Sequence, residues 1–241
     1  MKIVTRAERP DLTDAVRQMP TSWPDFMSQD QTAWMMSFLP EQPELQVVLL
    51  DGQEVVGYGS CVAFAWDGSL DSLPDTGWDE VLARGVAGHY RGREATAASA
   101  LEIAVRPDRL GEGLSTVILH GMREAVRRRG FHDLFAPVRP SRKSEDPWST
   151  MADYASRTRE DGLPVDPWLR VHVRAGGRIV RVCPASMVIA GSLAQWREWT
   201  ALPFDTPGPV VVPGATAPVH VDVENDHAVY VEANVWVHHR V

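Results

Sequence analysis

The stretch that most constrains the fold is Ala100 to Gly121, ALEIAVRPDRLGEGLSTVILHG, where an apolar alternating run passes through a glycine turn directly into an amphipathic segment. Leu101, Ile103 and Val105 alternate with the period of a strand, and Pro107 ends the run because it cannot donate to a ladder. Gly111 and Gly113 then supply a turn with no Cβ in the way at either glycine. From Leu114 through Arg129 the apolar residues Leu114, Val117, Ile118, Met122, Ala125 and Val126 return every three or four positions, with Arg123, Glu124, Arg127 and Arg128 on the opposite face. A strand that turns straight into a helix aims unpaired backbone N–H groups, and the positive end of the helix dipole, at one spot outside the chain. Such a spot binds phosphate. A βα connection that uses its glycines for geometry alone would carry the same residues, so turn composition leaves both readings open.

Charge and composition exclude several classes. A chain of 241 residues with 44% hydrophobic and 23% charged residues can bury a sizeable core without staples. Its net charge of -8 does not predict an extended nucleic-acid-binding surface. The two cysteines, Cys61 and Cys183, sit in apolar strand-like runs and are too few for a disulfide framework or a zinc cluster; buried thiols and no metal site are expected. The N-terminus, MKIVTRAERP, has no apolar run of signal-peptide length, and no stretch approaches the ~18 apolar residues of a membrane span. A cytoplasmic enzyme or binding protein is the expected class, with neither membrane nor nucleic acid as partner.

In chain order, Lys2 to Thr5 reads as a first strand and Pro10 to Met19 as a helix stopped by Pro20. Thr21 to Pro40 is rich in Trp, Met and Phe, with a helix expected around Asp30 to Leu39; it is either core or one wall of a cleft. Leu45–Leu50 and Glu54–Ala65 flank Asp51-Gly52 as a hairpin. Residues 66–96 read as a polar insertion, mainly a solvated loop, with a short helix near Trp78 to Arg84 and arginines at 84, 91 and 93. His132 to Val138 is a fifth strand, which a right-handed crossover places parallel to the fourth at their start. Residues 139–165 form a second insertion carrying a helix through Tyr154, and Asp166-Pro167 opens another that stops at Gly176-Gly177. Strands follow at 178–182 and 186–190, then a capping box at Ser192 and Gln195. Short strand pieces at 210–212, 219–223, 228–231 and 234–237 close the chain, with His238-His239 as an exposed tail. Residues 1–190 thus read as one domain with two insertions, and 191–241 as a helix-and-strand extension on it.

The central stretch resembles the signature of the GNAT superfamily, the acyl-CoA-dependent N-acetyltransferases, whose phosphate loop reads Gln/Arg-x-x-Gly-x-Gly/Ala shortly after a Val-x-Pro that closes the fourth strand. Here Val105-Arg106-Pro107 precedes Leu110-Gly111-Glu112-Gly113-Leu114-Ser115 in the same register. Leu110 replaces the usual Gln or Arg, and Ser115 the usual Gly or Ala; a cradle of main-chain donors survives both. The resemblance implies an α/β (α+β) fold: a mixed, mostly antiparallel central sheet flanked by helices, with strands four and five splayed, here with a β-rich C-terminal extension. It also implies acetyl-CoA or another acyl-CoA as co-substrate, held by Ile103, Ala104 and Val105 of the strand and by Leu110, Gly111, Glu112, Gly113, Leu114 and Ser115 of the turn.

Many enzymes of this family carry a Tyr four residues before a Gly, which protonates the departing CoA thiolate; four residues before Gly176 stands His172. An imidazole titrates near neutrality and can lend that proton. Tyr154 is a second candidate acid, and Glu102, an acidic interruption of the apolar strand, the candidate base. The implied reaction is direct transfer of an acyl group, most simply acetyl, to a primary amine of a small metabolite in a ternary complex, with at most a second copy of the chain as protein partner. No Cys or Ser motif points to a covalent intermediate. Two alternatives keep the fold: an acyltransferase fed by a carrier protein or aminoacyl-tRNA, and a silent acyl-CoA-binding module. A dinucleotide site is disfavoured, because Gly111-x-Gly113 lacks the third glycine and the distant acid.

Overall fold

The structure is a computed structural model that describes residues 1–241. Its nine strands are β1 (Lys2–Thr5), β2 (Gln46–Asp51), β3 (Glu54–Phe64), β4 (Ala97–Val105), β5 (Asp133–Val138), β6 (Arg178–Gly191), β7 (Gly208–Val210), β8 (Val219–Asp222) and β9 (His227–Arg240). Six α-helices join them: α1 (Thr13–Gln18), α2 (Gly77–Tyr90), α3 (Leu114–Arg128), α4 (Met151–Ser156), α5 (Pro167–Arg174) and α6 (Leu193–Thr200). The strand order is β1-β2-β3-β4-β5-β9-β8-β7, with β6 along the other edge of β9. All pairs are antiparallel except β4 with β5, so the mixed, mostly antiparallel sheet flanked by helices stands as expected. Both faces are covered. One carries α2, α6 and the aromatic segment before β2; the other carries α3, α4 and α5.

Two features of the sheet make room for a ligand. First, β4 and β5 pair only through Ala98–Leu134 and Ser99–Phe135 and then separate. Beyond Ser99, β4 has no strand on that side, so its backbone groups there lack ladder partners. Second, β9 pairs with β5 through its C-terminal half, Val235 to Arg240, and with β8 through its first residues, leaving the middle of that edge unpaired. The helix α3 seats its apolar face, with Ile118 and Met122 at the centre, on the β2–β4 meander. Gly57 and Gly59 of β3 permit that approach: a Cβ there would stand 2.7 and 2.8 Å from Ile118.

Several local expectations are overturned. The 66–96 insertion is not mainly solvated loop. It contains α2, whose Trp78, Val81, Leu82 and Val86 enter the core, and whose reach was hidden by the poor helix formers Gly85 and Gly88. The expected helix at 30–39 is instead a pair of 3₁₀ stretches, Asp25–Gln29 and Ala33–Glu41, with Pro40 inside the second. The strand pieces at 178–182 and 186–190 are one bulged strand, β6, and those at 228–231 and 234–237 are one strand, β9. His238-His239 is no exposed tail. β9 lies between β5 and β6, His239 is fully buried, and His238 Nε2 sits 2.7 Å from Asp133.

Candidate active site

Between the diverging ends of β4 and β5 lies a cavity of about 970 Å³. Its walls are Ala100 to Val105 of β4 and Ala136 to Val138 of β5. Leu110 and Ser115 of the glycine turn stand at one end; Arg139, Glu232 and Asn234 stand at another, with Trp23 against Arg139, and Asp25 also lines the cavity. The helix α5 contributes Trp168 and His172.

The turn end is built by backbone. Gly111 and Gly113 have φ of +85° and +75°, the left-handed region that glycine enters without strain. Gly113 is the N-cap of α3 and no side chain caps that helix, so the N–H groups of Leu114 and Ser115 have no partner, while that of Thr116 turns back to the Gly113 carbonyl at 3.0 Å. No atom lies within 4 Å of where a Cβ on either glycine would be; the turn faces open space. The one acidic side chain in it is neutralised, since Glu112 is held by Arg109, which also reaches Asp51 at 3.0 Å.

Glu102 owes its place to a β-bulge. Ser60 faces Glu102 and Cys61 faces Ala100, which leaves Leu101 as the extra residue on β4. Trp78 Nε1 donates to the Leu101 carbonyl at 2.9 Å and fixes the distortion. Glu102 lines the cavity and accepts a 2.9 Å hydrogen bond from the Tyr58 hydroxyl. Burial raises its pKa above the ordinary carboxylate value, with Tyr58 and Trp23 pulling the other way.

His172 also lines the cavity, but its Nδ1 faces His239 Nε2 at 2.9 Å. Burial, and then His239, push its pKa down to about 3. The expectation that it titrates near neutrality is therefore corrected: the ring is neutral at pH 7 and offers one N–H hydrogen bond rather than an imidazolium proton. Tyr154 is not among the lining residues. Its hydroxyl donates to Asp166 at 3.1 Å, and the same carboxylate caps α5 through the N–H groups of Trp168 and Leu169. Ile103, Ala104, Val105, Leu110 and Ser115 lie on the cavity, while Gly111, Glu112, Gly113 and Leu114 form the turn beside it.

The far end escaped the sequence reading. Glu232, fully buried, accepts from Arg139 Nε at 2.8 Å and from the Tyr230 hydroxyl at 2.6 Å on one oxygen, and from Asn234 Nδ2 at 2.9 Å on the other. Burial works against the Arg139 charge, but Glu232 and Tyr230 outweigh it and hold the guanidinium protonated. Trp23 lies 5.8 Å from that guanidinium, ring centre to carbon. The signal was present: Tyr230, Glu232, Asn234 and Trp236 alternate along β9, so two polar residues share a face with buried aromatics.

No protein-family model matches the chain. An arginine N-acetyltransferase of Aspergillus versicolor, avaD, is 30% identical to it over 98% of this chain and 93% of its own length. Among solved structures, the loading GNATL domain of CurA from Lyngbya majuscula superposes with a TM-score of 0.62 at 16% identity, covering 100% of this chain and 98% of that one. The GNAT-like decarboxylase GphF, solved in complex with isobutyryl-CoA, gives 0.60 at 18% identity over 100% and 99% of the two chains. These two likenesses show the shared fold, and the identity to avaD extends through both insertions and the C-terminal strands. The chain belongs to the GNAT superfamily and is an acyltransferase of the N-acetyltransferase type.

Proposed function

We propose that this enzyme transfers an acetyl group from acetyl-CoA to a primary amine of a small cationic metabolite, with arginine the first candidate, by direct attack in a ternary complex. The observation that carries the reading is one continuous cavity that joins an open turn of backbone donors to a polar end lined by Arg139, Glu232 and Asn234. Phosphates of the donor would rest on the N–H groups between Leu110 and Ser115, as anions do at helix N-termini. The pantetheine arm would then follow the unpaired edge of β4 past Val105, Ala104 and Ile103. Asp25 and Glu102 in the lining suit a cationic acceptor, and the arginine named for avaD is such a molecule.

In the reaction, the amine nitrogen forms a bond to the thioester carbonyl carbon while the carbonyl π pair moves onto oxygen. The backbone N–H of Ile103, on the free side of β4, would donate to that oxyanion. Glu102 takes the surplus proton of the amine, a task for which a raised pKa suits it. The C–S bond then breaks with its electron pair on sulfur, His172 donates a hydrogen bond to the thiolate, and solvent returns a proton to it. Tyr154 has no part in this scheme. It supports the α4–α5 junction through Asp166.

The experiment is free-thiol release from acetyl-CoA with a panel of amines, beside thermal shifts with acetyl-CoA alone. Thiol release that requires an amine supports the proposal. A thermal shift with no thiol release from any amine would establish a silent acyl-CoA-binding module, and no affinity for acyl-CoA at all would point to a carrier-bound donor.

A further inference from the structure

The fold buries His239 completely in β9, against α5. Two neutral imidazoles 2.9 Å apart, His172 Nδ1 to His239 Nε2, share one hydrogen bond, and one of them must donate. The choice decides what His172 shows the cavity. If His172 donates through Nδ1, its Nε2 is a bare lone pair. If His239 donates through Nε2, the His172 proton sits on Nε2, and the ring presents a donor.

The surroundings of His239 discriminate. Its Nδ1 is buried and has no hydrogen-bond partner, and the same is true of Arg123 Nε. Arg123 reaches across from α3, donating through Nη1 to the Ala175 carbonyl at the end of α5 (2.6 Å) and through Nη2 to the Arg240 carbonyl next to His239 (3.2 Å). This guanidinium is the strongest charge acting on His239; His238 and His120 bear on it from β9 and α3. A proton on His239 Nδ1 would be a buried donor without an acceptor, directed into a region that already holds a cation and an unpaired donor. A lone pair there is favoured by the cation and is the better partner for the orphaned Nε–H. Both rings stay uncharged: burial first, and then the named neighbours, push His172 down to about 3 and His239 down to about 4.

We propose that Arg123 and His239 are positioning residues that lock His172 in its Nε2–H form, turning a neutral imidazole into a fixed hydrogen-bond donor at the cavity. The proposal rests on the transferase reading only for what that donor meets, the sulfur of the departing thiol. Arg123 polarises His239, His239 donates to His172 Nδ1, and the remaining N–H of His172 has no protein partner. It is the arrangement by which outer groups fix the tautomer of a working histidine.

The wild-type enzyme tests the wiring directly. In ¹⁵N-labelled protein without ligand, long-range ¹H–¹⁵N correlations should show both His172 and His239 protonated at Nε2 and bare at Nδ1. A His172 ring protonated at Nδ1 overturns the proposal whatever the activity. For turnover, His239→Gln retains an amide donor toward Nδ1 and should keep most of kcat, whereas His239→Leu should lower kcat about 10- to 100-fold with the KM for the amine unchanged. Equal losses in kcat for Gln and Leu variants that remain folded, as checked by circular dichroism, would also sink it. Full turnover in His172→Phe, with the wild-type tautomers as expected, would leave the wiring standing and remove His172 from the reaction scheme.

Discussion

The two ends of the cavity are built on opposite principles. At the turn end the donors are main-chain N–H groups, the side chains are incidental, and the whole device lies within Val105 to Ser115. At the far end the groups are side chains from segments far apart in sequence: Arg139, Glu232 and Asn234, tied by buried hydrogen bonds, with the Trp23 ring against the Arg139 guanidinium. With the acyl-CoA phosphates placed there as proposed, the first end can recognise only what every acyl-CoA shares. The second can discriminate, because a buried polar group left unpaired by a wrong acceptor is costly. On the proposed placement of the two substrates, donor recognition is local and generic, and acceptor recognition is distributed and specific.

The largest effect tests the point where the two ends meet. Glu102→Gln should cut kcat by roughly 10² to 10⁴, about 2.7–5.5 kcal/mol of transition-state stabilisation, while leaving the thermal shift from acetyl-CoA intact. Because burial raises the Glu102 pKa, the acidic limb of the kcat/KM profile should lie above the ordinary carboxylate range and vanish in the variant. An unchanged pH profile would mean that the base is elsewhere.

Next comes the far end. Arg139→Met leaves Glu232 buried without its cation and should cost about 3–5 kcal/mol of stability in urea unfolding, whereas the double variant Arg139→Met with Glu232→Gln should recover most of it. The double variant should also raise the KM for the amine and leave the affinity for acetyl-CoA alone; the reverse pattern would exchange the roles assigned to the two ends. Gly113→Val strikes the turn end. Its side chain meets no neighbour, so the cost is backbone strain of about 1–3 kcal/mol, with a smaller thermal shift from acetyl-CoA and an unaltered KM for the amine.

A separate effect, on the pH dependence of stability and not on turnover, concerns the contact between α2 and the aromatic segment. Asp79 of α2 is linked to Asp30 of the aromatic segment through Thr32, whose hydroxyl contacts both carboxylates. Burial, and then Asp30, push Asp79 up to about 8. The folded state therefore holds a proton that the unfolded chain releases near 3.8, so this stabilisation is complete below that value and is lost as pH rises through about 8. Asp79→Asn should flatten the fall in stability between pH 5 and 9, seen as converging urea midpoints. A wild-type curve with no such fall would remove the proton assigned to Asp79.

What the sequence determined by itself is whatever short-range sterics and hydrogen bonding settle. The strand that runs through Gly111 and Gly113 into α3, the Asp166 cap on α5 and the Ser192–Gln195 capping box were all legible because each is complete within a few residues. The same locality explains the misses. Glycines inside α2 weakened its pattern, and Glu232 and Asn234 broke the apolar run of β9, although alternation continued through them. Only the tertiary structure decided which residues face the cavity and in what chemical state. It took the end of the chain into the sheet, placed His239 against His172, and seated Glu232 beside Arg139. Those states follow from burial and from neighbours distant in sequence, because desolvation and charge act through space and not along the chain.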